Sequence, residues 1–89
     1  MKKKDLLIEN KLGLHARAAA QIVKAASGFN SKSLLSKDGI EVDGKSIMGI
    51  MMMAAARGTT VLVSAEGDDE ERALEGMEKL FKDRFGEKE

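Results

Sequence analysis

His15 and Arg17 stand two residues apart in the run Leu12-Gly13-Leu14-His15-Ala16-Arg17-Ala18-Ala19. An imidazole can accept and release a group near neutral pH. A guanidinium is always charged and grips phosphate oxygens bidentately. The alanine-rich stretch after Gly13 reads as a helix, so His15 falls at its start. A helix's first turn presents unpaired N–H groups and a partial positive charge, which together bind anions. The same field favours the neutral, nucleophilic ring. Phosphoryl acceptance on His15 fits this arrangement, with Arg17 and the Ala16 amide cradling the oxygens. Taken alone, a His-x-Arg pair is more often a loop histidine beside a solvated arginine. Metal binding fits poorly, since one histidine and no cysteine make no typical zinc or iron shell.

Ser46 is the second candidate. It opens Ser46-Ile47-Met48-Gly49-Ile50-Met51-Met52-Met53-Ala54-Ala55-Ala56, read as a short helix with Gly58 beyond its end. On the residues alone Ser46 is an N-cap, a role worth about 1 kcal/mol. Some of the four methionines must fill the core. A helix this short cannot bury every side, so part of Ile47, Met48 and Met51 is expected at the surface. Methionine there suits a face that docks several partners.

Glycines punctuate the elements that must position these residues. Residues 4–8 read as a first strand. Residues 16–26 read as a helix with Ala19, Ile22, Val23 and Ala26 on one face, capped by Gly28. Residues 31–36 and 39–42 read as a hairpin turning at Lys37-Asp38-Gly39, since Asp-Gly between such runs is a strong turn signal. Residues 59–65 alternate as a strand. The last helix takes Asp68 as N-cap and Glu71 as its capping-box partner. Its stripe is Ala73, Leu74, Met77, Leu80 and Phe81, with Lys82 and Arg84 suited to its C-terminal end. The order β-α-β-β-α-β-α favours one α+β domain over residues 1–89, a two-layer open-faced sandwich with helices on one face of the sheet, although ferredoxin-like folds have a related order.

Composition narrows the function classes. The chain has 89 residues, with 15 Lys+Arg balancing 15 Asp+Glu. There is no basic excess, and Phe29, Phe81 and Phe85 are the only aromatics, which argues against nucleic-acid binding. The longest apolar run covers residues 50–56, far short of the roughly 20 residues that span a bilayer. The absence of cysteine excludes disulfides and thiol chemistry, and a cytoplasmic protein is the default expectation. A domain this small has room for one shallow core and no enclosed active site. Its chemistry should sit at the surface.

Leu12-Gly13-Leu14-His15-Ala16-Arg17 resembles the active-site signature of the HPr family, phosphocarriers of the bacterial phosphotransferase system. Gly44-Lys45-Ser46-Ile47-Met48-Gly49-Ile50-Met51 is similar to the family's second signature, around its regulatory serine. The interval between the two motifs, the element order and the length also fit, so the resemblance spans essentially the whole chain. One departure is clear. The family usually has proline directly after the arginine, where this chain has Ala18. Alanine is the better helix former, so the change bears on the rigidity of the phosphate loop rather than on the helix.

The resemblance implies a four-stranded antiparallel sheet with three helices. It implies that phosphorylated enzyme I loads His15 on Nδ1 and that an enzyme IIA receives the group, with no cofactor. It implies phosphorylation of Ser46 by a kinase/phosphorylase, and a docking patch including Ala20, Lys24, Ser27, Ile47, Met48 and Met51. A monomer is expected. Competing expectations are a carrier of a nitrogen-type regulatory branch and a non-catalytic module controlled at Ser46. A small-ligand sensor would need a pocket that the sequence does not reveal.

Overall fold

Alternation of apolar and polar residues builds the sheet. The computed structural model describes residues 1–88. The strands are β1 (Lys2–Leu7), β2 (Lys32–Lys37), β3 (Ile40–Asp43) and β4 (Thr60–Glu66). All pairings are antiparallel, in the order β1-β4-β2-β3. Val61, Val63 and Ala65 of β4 and Leu35 of β2 point inward and are buried. The hairpin turns at Asp38-Gly39, both at positive φ (50° and 82°). That is the mirror-image turn whose twist matches the strands.

Three helices supply the second layer: α1 (Ala16–Ser27), α2 (Ile47–Met52) and α3 (Glu70–Lys82). α1 buries Ala18, Ala19, Ile22 and Ala26, and Val23 packs partly against the core. α3 buries Ala73, Met77 and Phe81, with Leu74 and Leu80 packed alongside. The expected open-faced sandwich is the fold observed.

Three local readings need correction. α2 stops at Met52 rather than running to residue 56. Ala54 takes the left-handed conformation (φ 50°), turning the chain so that the Ala55 carbonyl accepts the Leu14 N–H at 3.0 Å. The cap position of α3 is Asp69, not Asp68, and its carboxylate caps nothing in the helix. It reaches across to residues 30–31 instead, accepting both backbone N–H groups at 2.9 Å and the Ser31 hydroxyl. The reciprocal bond expected of Glu71 is made one residue earlier, where Glu70 accepts the Gly67 N–H at 3.1 Å. Lys82 does lie in the last turn of α3, but Arg84 lies beyond it. Arg84, Phe85 and Gly86 form a left-handed turn (φ 53°, 55° and 78°) that reverses the chain.

Candidate functional site

The turn before His15 is built from Asn10 and Gly13. Asn10 is fully buried, and its Nδ2 donates to the Gly13 carbonyl at 2.8 Å. Gly13 is left-handed (φ 66°), and a Cβ there would fall 2.5 Å from the Ala55 carbonyl oxygen. No other residue type fits that approach. The turn delivers His15 as the N-cap of α1 in extended conformation (φ −76°, ψ −179°). Its Nδ1 accepts the Arg17 N–H at 3.2 Å, and its carbonyl accepts the Ala19 N–H at 2.9 Å. Ala16 and Arg17 are exposed in the first turn of α1. Ala18 is the third helical residue and fully buried, so alanine's small side chain packs where the resemblance expected proline. The helix forms regardless, because first-turn amides have no intrahelical partner to lose.

The other edge of the ring meets a partner from 72 residues away. His15 Nε2 lies 2.7 Å from Glu87 Oε2. Both Glu87 carboxylate oxygens also accept from Asn10 Nδ2 at 3.3 Å. The His15 hydrogen bond is the main cause holding the Glu87 carboxyl below its ordinary 4.5, with the Asn10 bond and the nearby Arg17 charge helping and burial opposing. An ionised carboxylate only accepts, and a backbone amide only donates. The two partners therefore assign one tautomer, with the proton on Nε2 and the lone pair on Nδ1 facing the start of α1. His15 is half-buried, not the freely exposed loop side chain that the sequence suggested. Beside it Lys11, Leu12, Arg17, Glu87 and Lys88 line an open cleft of about 560 Å³.

Sequence reasoning named His15, Arg17 and Ala16, which the fold places together at the start of α1, and did not name Asn10 or Glu87, which join them in one hydrogen-bonded cluster. Asn10 carried a usable signal, since asparagine just before a glycine turn commonly bonds local backbone. Glu87 carried none.

Ser46 caps α2, its Oγ accepting the Gly49 N–H at 3.1 Å. The residues around it divide as expected. Met53 and Ile50 are buried, whereas Ile47, Met48 and Met51 are exposed, and Met52, which the sequence reading left out of the patch, is the most exposed of the group at 75%. Ala20, Lys24 and Ser27 of α1 are exposed too. α1 and α2 pack together, so His15 and Ser46 cap two neighbouring helices.

A family model described as the PTS HPr component phosphorylation site matches residues 2–83. This chain belongs to the HPr family. The phosphocarrier protein HPr of Xylella fastidiosa (strain 9a5c) is 48% identical over 83 residues, covering 93% of each chain. The crystal structure of HPr-C-His from Thermoanaerobacter tengcongensis superposes with a TM-score of 0.96 at 47% identity, covering all of both chains. A second structure from that organism, described as an HPr dimer, gives a TM-score of 0.79 at 48% identity and covers 98% of this chain and 100% of its own.

Proposed function

We propose that this protein is a phosphocarrier that takes a phosphoryl group onto His15 Nδ1 from phosphorylated enzyme I and delivers it to an enzyme IIA of the sugar phosphotransferase system. The observation that carries this reading is the orientation of the ring. The Nδ1 lone pair faces the Arg17 amide at the N-terminus of α1. In the transfer that lone pair forms the new N–P bond. The bond between phosphorus and the atom that carries it on enzyme I breaks, and its electron pair stays with that atom. The Arg17 amide, released from Nδ1, can then donate to a phosphoryl oxygen, and the α1 dipole and Arg17 guanidinium stabilise the added charge. The protein is a stoichiometric intermediate in the cytoplasm rather than an enzyme with its own substrate pocket, and one copy suffices.

Ser46 serves as the regulatory site, phosphorylated by a kinase/phosphorylase. A phosphate beside Ile47, Met48 and Met51 would place charge on the face that Ala20, Lys24 and Ser27 share in docking enzyme I and enzyme IIA. No nucleic acid or membrane takes part. Incubation with phosphoenolpyruvate, magnesium and enzyme I, read by phosphorus NMR, tests the central reading. An acid-labile phosphoramidate signal that disappears on adding an enzyme IIA is expected. Absence of that signal overturns the proposal.

A further inference from the structure

We propose that Glu87 is a positioning residue for His15, holding the imidazole in the tautomer that accepts the phosphoryl group on Nδ1; this role rests on the carrier function above. Two contacts on opposite edges of the ring demand the same tautomer. The Glu87 carboxylate accepts a hydrogen bond from Nε2–H at 2.7 Å, and the Arg17 amide donates to Nδ1 at 3.2 Å. A histidine that donates one ring N–H to a carboxylate and uses the other nitrogen for chemistry is fixed in both orientation and tautomer. As Nδ1 forms its bond to phosphorus, positive charge develops on the ring. The carboxylate across the ring offsets that charge while the proton stays on Nε2. The charged groups facing this ring are Glu87 from the tail and Arg17 from α1, with Lys11 and Lys88 lining the same cleft.

The tail is built to deliver this carboxylate. Phe85 is buried, its ring 5.0 Å from that of Phe81. Gln21 Nε2 of α1 donates to the Phe85 carbonyl at 2.9 Å. The left-handed turn at Arg84–Gly86, which contains Phe85, sends the chain back toward residue 15. Phe85 and Gln21 hold the tail in place, so changing the Glu87 side chain removes the carboxylate without releasing the strap. Glu87 also lies beyond residues 2–83, the part that matches the family model.

The test uses the full chain with ¹⁵N-labelled imidazole, as wild type, Glu87→Gln and Glu87→Ala. The ring ¹⁵N shifts of the unphosphorylated protein are measured above the range where the ring protonates, alongside the initial rate of phosphorylation by enzyme I. Wild type is expected to show a protonated Nε2 and a lone-pair Nδ1. Glu87→Ala should move both shifts toward a tautomer average and slow phosphorylation by about tenfold, the lower end of what is lost when a partner that orients a metal-binding histidine is removed. Glu87→Gln can still accept a hydrogen bond from Nε2–H through its amide oxygen, so it should keep the wild-type shifts and lose only part of the rate. Wild-type shifts in Glu87→Ala, with a rate within about twofold of wild type, would overturn the role. If wild-type protein itself takes no phosphoryl group from enzyme I, the carrier reading falls and this role falls with it, whatever the shifts show.

Discussion

His15 and Ser46 occupy the same structural position, the N-cap of a helix, yet they are held in different ways. Each accepts a backbone N–H from its own helix, His15 from Arg17 at 3.2 Å and Ser46 from Gly49 at 3.1 Å. Ser46 has no further side-chain partner among the described residues, and its geometry follows from the helix it starts. His15 is clamped on its other edge by Glu87, on a tail anchored by Phe85 and Gln21. The difference suits the two roles proposed above. A site that must gain and lose its group in every cycle benefits from a ring fixed before the donor arrives. A serine modified by a kinase needs only accessibility, since the kinase supplies the orientation.

The largest effect should come from His15→Ala. Phosphoryl acceptance is expected to vanish, while unfolding in urea shifts by about 1 kcal/mol, the usual size of a lost cap. Retained phosphorylation would remove the chemical half of the contrast. Ser46→Asp should leave chemistry at His15 intact and raise the apparent KM for enzyme I several-fold, because the charge beside Ile47, Met48 and Met51 must be desolvated on docking. Stability should hold within about 0.5 kcal/mol, since aspartate also caps well. An unchanged KM would place the docking face elsewhere, and a phosphate at the same position should act more strongly than aspartate.

A smaller, graded effect is expected from acid. The His15 hydrogen bond is the first cause lowering the Glu87 carboxyl in the folded protein. A carboxyl lowered on folding adds stability above its unfolded value, and that stability is lost as pH falls through the folded value. Urea midpoints should therefore drop as pH falls below about 4.5. Asp69, lowered chiefly by the Ser31 hydroxyl, and Glu70, lowered chiefly by the Gly67 N–H, add to the same trend. In His15→Ala the drop should be shallower. An identical pH profile in that variant would show that the clamp adds nothing to the fold.

The smallest effect concerns the far end of the Ser46 helix. Ala54 is left-handed (φ 50°), a conformation that costs a residue with a Cβ roughly 1 kcal/mol and glycine nothing. Ala54→Gly should raise stability by somewhat less than that, because glycine also loosens the unfolded chain. Calorimetry checks it. Destabilisation would mean that the Ala54 methyl makes contacts worth more than the strain.

Much of this site was legible because its parts are local. The Asp38-Gly39 turn, the Ser46 cap and the start of α1 each depend on residues within four positions of one another. Side-chain chemistry and backbone sterics fix such features without reference to the rest of the chain. Readings failed where a local rule met a distant partner. Asp68 and Glu71 at the start of α3 looked like a capping box from spacing alone. Residues 30–31 then offered Asp69 two amides and a hydroxyl, and the carboxylate turned to them. The alanines after Met53 carry high helix propensity, yet α2 stops at Met52 because the turn at Ala54 lets the Ala55 carbonyl meet the Leu14 amide.

The sequence by itself singled out His15, the guanidinium beside it and the serine cap, because those follow from residue type and short spacing. It also determined the order of strands and helices, through the two periodicities that alternate along the chain. The tertiary structure alone decided which nitrogen of His15 keeps its lone pair toward the start of α1. That choice depends on a carboxylate 72 residues away. Only the folding of Phe85 against Phe81 and the reversal at Arg84–Gly86 bring it to the ring. No pattern in residues 84–88 announces such a contact, because closing so long a loop becomes favourable only once the core has formed.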